Sequence, residues 1–133
     1  MGALRPAEDL RSDAARARGL GAAGHGSGHF WQQRVSAVAN IPLGLGLLAL
    51  VFVHRDSSHA EWAALLRTPA ASLLVALAVL SFCWHMRLGL QMVIEDYVHA
   101  PWGKGAALMA NDFAAALAAL VSLWALLRLN FGG

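Results

Sequence analysis

Cysteine is almost absent from this chain of 133 residues: Cys83 stands alone. No intrachain disulfide can form, and with no Cys-x-x-Cys-His segment a covalently attached haem is excluded. Cys83 itself reads as a small buried apolar side chain. Charge is also scarce, at 14% of residues against 58% hydrophobic. With a mean hydropathy of +0.52, the chain is too apolar for a soluble domain of this length. A net charge of +2 without a basic surface interleaved with aromatics does not point to nucleic acid. There is no internal repeat, and the first 30 residues hold no apolar run that could serve as a signal-peptide core.

What remains is a membrane protein. Three apolar stretches are long enough to cross a bilayer, at about 34–54, 69–95 and 104–128. The short connections between them make neighbouring helices antiparallel. The expected fold is therefore an all-α membrane protein with three transmembrane helices running up, down and up. Thr68-Pro69 suits a helix start, with Thr as N-cap and Pro at the first helical position. Pro42, inside the first span, predicts a bend. Residues 1–30, rich in Ala, Gly and Arg, read as a flexible cytoplasmic tail, and residues 31–133 as the three-helix anchor domain.

Basic residues set the expected orientation, since Lys and Arg are retained on the cytoplasmic side. Arg5, Arg11, Arg16, Arg18, Arg34 and Lys104 fall on one side of the spans, and Arg55, Arg67 and Arg128 on the other. The N-terminus is then cytoplasmic. Trp31 and Trp102 lie at the inner interface, and Trp62 and Trp124 near the outer one.

Only three ionisable groups fall inside the spans: His85, Arg87 and Asp112. Each costs a few kcal/mol in hydrocarbon, so each is expected to face protein and to be a functional candidate. His85 has two readings. It is a neutral imidazole bonded to a neighbouring helix, or it is an axial ligand for haem iron, with Gly89 one turn away letting a flat macrocycle approach the backbone. His54, His59 and His99 fall at helix ends, and His25 and His29 in or beside the tail. A bis-histidine haem would therefore need its second ligand from another polypeptide. Arg87 and Asp112, counted from the same interface, fall at similar depths of about 15 and 13.5 Å, which predicts an ion pair between the second and third spans. The competing reading sends Arg87 to a haem propionate and Asp112 to a water pocket or partner.

Asp96 and Tyr97 close the second span. Tyr97 is about 18 Å along the helix from His85, and Asp96 lies about 20° from His85 around it, so one stripe runs from mid-membrane to the water boundary. The pair is either a solvated helix end with a belt aromatic, or a quinone site. In the latter a phenol donates to the quinone carbonyl beside a carboxylate that orients it or relays protons. Arg34 is either a positive-inside anchor or also a partner for a haem propionate.

The run from His85 to Val98, together with His29-Phe30-Trp31-Gln32-Gln33-Arg34-Val35-Ser36-Ala37, resembles the hydrophobic membrane-anchor subunit of bacterial succinate dehydrogenase, the small D-type subunit. The likeness covers about residues 28–131, including the Arg128-Leu129-Asn130-Phe131 end, and is nearest the α-proteobacterial and mitochondrial-like branch. It implies a place in respiratory complex II, within a larger heteromeric helix bundle around haem b. The partners implied are a cytochrome b556-type second anchor subunit, an iron–sulfur subunit, a flavoprotein subunit and membrane lipid, in the bacterial inner membrane. By that likeness His85 is an axial haem ligand, Arg34 lies near the propionates, and Tyr97 with Asp96 binds ubiquinone. No catalytic bond-making is assigned to this chain's own side chains. Two alternatives stand beside it: a fumarate-reductase-type anchor using menaquinone, and a structural three-helix scaffold without haem.

Overall fold

A computed structural model describes residues 23–132, with side chains from Gly28 onward. Among the described residues there are four helices and no strand: α1 (Ala23–Val53), α2 (His59–Leu66), α3 (Pro69–Tyr97) and α4 (Pro101–Phe131). Three of them are long and apolar enough to cross a membrane, over Gly28–Val53, Pro69–Tyr97 and Pro101–Phe131. The all-α, three-span architecture expected from the apolar runs is therefore the one observed.

The helix boundaries follow local chemistry. Thr68 takes an extended conformation ahead of Pro69, which starts α3 where a missing N–H is harmless. Thr68 does not cap with its side chain, however; its hydroxyl donates back to Leu65 O at 2.7 Å. α4 likewise opens with Pro101 after an extended Ala100. α1 runs unbroken through Pro42 and begins at Ala23, so residues 23–30 of the segment read as tail are helical. The rest of that segment lies outside the described residues.

The first connection is not plain loop. Ser58 accepts from Glu61 N while the Glu61 carboxylate accepts from Ser58 N at 2.6 Å, a capping box that starts α2. Hydrogen bonds from the Ser58 backbone and hydroxyl hold the Glu61 carboxyl below the ordinary glutamate range. Trp62, one residue later, packs its ring 5.9 Å from that of His54 and ties α2 to the end of α1.

α3 is the centre of the molecule. It packs against α1 on one side and α4 on the other, while α1 and α4 make no close approach to each other. The three spans thus form a row, not a closed triangle. Small residues let the backbones meet. Ala71, Ala78 and Ala115 are buried, and a β-carbon at Gly46 would come within 3.1 Å of a Leu74 methyl.

Polar contacts set the register. Ser36 meets His85 and Asn40 meets Ser81, so four residues forward on α1 match four residues back on α3. On the other side Asn111 donates to Arg87 O at 2.9 Å, and Asn130 donates to Ser72 Oγ at 3.1 Å. In a membrane each such bond contributes only about 0.6 kcal/mol on average, but a one-residue slip would break all of them together. Outside these seams the large apolar side chains point away from the chain. Phe52, Trp102 and Trp124 are among the exposed ones, a surface suited to lipid or to other subunits.

Candidate functional site

His85 lies on the face of α3 that meets α1. Its Nδ1 is 2.9 Å from the hydroxyl of Ser36, which is buried, with 7% of its surface exposed. Ser36 Oγ also lies 3.1 Å from Gln33 O, one turn back on α1. A backbone carbonyl can only accept, and a hydroxyl has one proton. When Ser36 directs that proton to Gln33 O, His85 Nδ1 must be the donor, and the Nε2 lone pair is left bare. No described residue hydrogen-bonds Nε2, and the imidazole as a whole is half-buried. In that arrangement the two readings of His85 are compatible: one ring nitrogen is bonded to a neighbouring helix, and the other has the form that a haem ligand requires. The donor set fits haem iron to that extent. Among the described residues no three His, Cys, Asp or Glu side chains gather around a common point, so His85 offers one ligand and not a cage.

Gly89 lies one turn below His85, and a β-carbon there would meet only the Gln33 side-chain amide, Nε2 at 3.6 Å, an ordinary contact.

Asp96 and Tyr97 sit at the exposed end of α3, and Tyr97 is 78% accessible. Their side chains make no hydrogen bond to a described residue. The backbone around them is held instead: Lys104 Nζ donates to Glu95 O at 2.7 Å, and His99 Nδ1 lies 3.0 Å from Tyr97 O. A cation on the last carbonyls of a helix opposes its partial negative charge and pins the end of α3. The Tyr97 phenol and the Asp96 carboxylate are thus presented outward from a fixed backbone, with their hydrogen-bonding capacity unspent on any described residue.

Arg34 is not beside His85. It stands two residues before Ser36, about 160° away around α1, and its guanidinium stacks over the Phe30 ring at 4.7 Å. The structure joins His85 to Ser36 and leaves Arg34, Asp96 and Tyr97 on the surface.

Arg87 and Asp112 do pair, Nε to Oδ1 at 2.7 Å, as their matched depths predict. Arg87 is two residues past His85, about 160° away around α3, so it faces α4 and not the His85 seam. Its guanidinium also lies 5.4 Å from the Trp84 ring. The pair is partly open, with 28% of the Arg87 and 50% of the Asp112 side chain exposed. It borders a groove of about 250 Å³ lined by Leu80, Cys83, Ala115 and Ala119.

Attention to ionisable groups alone misses Ser36, Asn40, Ser81, Asn111 and Asn130, the neutral side chains that carry most interhelical bonds. Their signal is visible in the spacing: Ser36 and Asn40 are four apart, as are Ser81 and His85, so each pair shares a helix face.

Comparison with known proteins places the chain in a family. Residues 8–126 match the family model described as succinate dehydrogenase/fumarate reductase transmembrane subunit. Over 116 residues the chain is 31% identical to a succinate dehydrogenase hydrophobic membrane anchor subunit of Paracoccus denitrificans, covering 87% of this chain and 89% of that one. It is 31% identical over 90 residues to the protein of the same description in Rickettsia bellii, covering 68% and 72% respectively. A succinate dehydrogenase membrane anchor subunit of Reclinomonas americana is 32% identical over 77 residues, covering 56% of this chain and 64% of that one. No solved structure matches.

Proposed function

The chain belongs to the succinate dehydrogenase/fumarate reductase transmembrane subunit family, among its hydrophobic membrane anchor subunits, and we propose that it anchors succinate:ubiquinone oxidoreductase in the bacterial inner membrane, with its N-terminus cytoplasmic. Its partners in this reading are a flavoprotein subunit, an iron–sulfur subunit and a cytochrome b556-type second anchor subunit. The exposed apolar faces of the three-helix row supply the area that such partners and lipid would cover.

His85 would hold haem b through Nε2, and the other anchor subunit would supply a second ligand. When bound, the haem supplies a site that accepts and returns one electron at a time. Arg34, free of any acidic partner among the described residues, is the cation available to a propionate once subunits assemble. Tyr97 would donate its phenol proton in a hydrogen bond to a ubiquinone carbonyl. Asp96 beside it would orient that bond or pass protons from the aqueous side as quinone becomes quinol. Ubiquinone is substrate here, and oxidation of succinate belongs to the flavoprotein.

The observation that carries this reading is the His85 imidazole, held at mid-span through Nδ1 with its other nitrogen unpartnered among the described residues. The test is purification of the membrane complex through a tag on this chain, followed by its reduced-minus-oxidised absorption spectrum. A low-spin b-type spectrum that is lost in His85→Ala, with flavoprotein and iron–sulfur subunits still co-purifying, is the expected result. A complex with no b-type haem, or one whose spectrum is unchanged in His85→Ala, overturns it.

A further inference from the structure

Ser36 is a hydroxyl buried in the seam between α1 and α3, and it lies close to two polar groups from different helices. One is Gln33 O, three residues back on its own helix at 3.1 Å; the other is His85 Nδ1, across the seam at 2.9 Å. A serine inside a helix commonly turns its hydroxyl proton toward a carbonyl three or four residues earlier. That bond leaves the oxygen lone pairs facing α3, where only a donor can meet them. If Ser36 donated to Nδ1 instead, the proton of a neutral imidazole would sit on Nε2, and Nε2 could not bind iron.

We propose that Ser36 is a positioning residue: by accepting from His85 Nδ1 while donating to Gln33 O, it fixes the imidazole tautomer whose Nε2 ligates haem iron, and sets the electron-donating strength of that ligand. The proposal rests on the reading of His85 as a haem ligand. Gln33 takes part only through its backbone carbonyl, so its side chain is not required. Asn40 and Ser81, one turn above, hold the same seam at 2.5 Å and stop the ring and the hydroxyl sliding past one another.

An acceptor at the distal nitrogen of a coordinated imidazole raises its basicity and favours the ferric state. Removing the Ser36 hydroxyl therefore favours ferrous haem. The test is redox titration and low-temperature electron paramagnetic resonance of the purified complex carrying Ser36→Ala. Ser36→Thr is set against the near-isosteric Ser36→Val as a second comparison, so that failed assembly of the alanine variant leaves that pair to decide. In Ala and Val the midpoint potential of haem b rises by up to the equivalent of a tenfold change in the ferrous-to-ferric ratio, about 59 mV for one electron. Haem affinity falls by about tenfold or more. The low-spin signal shifts as the ring loses its orienting bond, and Thr restores potential and signal. A purely structural serine would leave potential and signal unmoved in whatever complex assembles. Unchanged potential and signal in Ala and Val, with haem lost in His85→Ala, overturn the proposal alone. Retention of the b-type spectrum in His85→Ala overturns the reading beneath it.

Discussion

Tyr97→Phe separates the proposed quinone role from a structural one, because the phenol oxygen has no hydrogen-bond partner among the described residues. Tyr97 is 78% exposed and its hydroxyl bonds no described residue. The contact made at this residue goes through its backbone carbonyl, 3.0 Å from His99 Nδ1, and survives the substitution. Loss of the hydroxyl should therefore cost the fold nothing measurable, and the whole effect should appear where quinone binds. One net hydrogen bond contributes about 0.5–1.5 kcal/mol, so kcat/KM for ubiquinone should fall roughly 2- to 13-fold, toward the upper end in a site that excludes water. The assay compares succinate oxidation with a ubiquinone analogue against the same oxidation with a soluble dye, which takes electrons upstream. Dye reduction should persist while quinone reduction drops. Parallel loss of both would mean that the Tyr97 hydroxyl is needed for assembly, and retention of both would leave Tyr97 as an interfacial anchor.

The remaining expectations concern the seams and the capping box. Asp112→Ala should reduce assembly by leaving the Arg87 cation without its 2.7 Å partner, and adding Arg87→Ala should recover much of the loss; additive defects in that cycle would show that the two are not coupled. Gly46→Val should destabilise the α1–α3 seam by about 1–3 kcal/mol through overpacking on Leu74, with rescue by Leu74→Ala; thermal unfolding in mild detergent reads both, and an unshifted melting point refutes the close approach. Because hydrogen bonding lowers the Glu61 pKa in the folded state, its contribution to α2 is fully present above the ordinary glutamate range and is lost as pH falls through the lowered value. Amide exchange at Trp62 should follow that loss, and Glu61→Gln should abolish the pH step, whereas Ser58→Ala, which keeps the backbone N–H that donates to Glu61, should only weaken it; an identical step in Glu61→Gln would assign it to another group.

The spans were legible because hydrophobic length is read directly from sequence, and Thr68-Pro69 marks the start of α3 for a local reason. The Arg87–Asp112 pair was legible too, since rise per residue converts position into depth. α2 was not foreseen, although Ser58 and Glu61 carry the spacing of a capping box; eight residues make no apolar run. The early start of α1 runs against local propensity, with Gly24, Gly26 and Gly28 in its first turns, so it extends outward from the span instead of nucleating there. The Ser36–His85 contact needed coordinates. Spacing places His85 on a stripe of α3, but it does not say which neighbour that stripe meets.

The row of spans also orders events during synthesis. Each long helix packs only on its nearest long neighbour in sequence, so contacts are local and each hairpin can close as soon as its second member is made. Ser36, Asn40, Ser81 and His85 all precede residue 98, whereas the ion pair and the Asn130 contacts wait for α4. At about 5–20 residues per second of translation, the His85 imidazole can be oriented a few seconds before α4 has been made. A nascent chain halted after α3 would already hold the Ser36–His85 contact, with the face of α3 that later meets α4 still open to other partners.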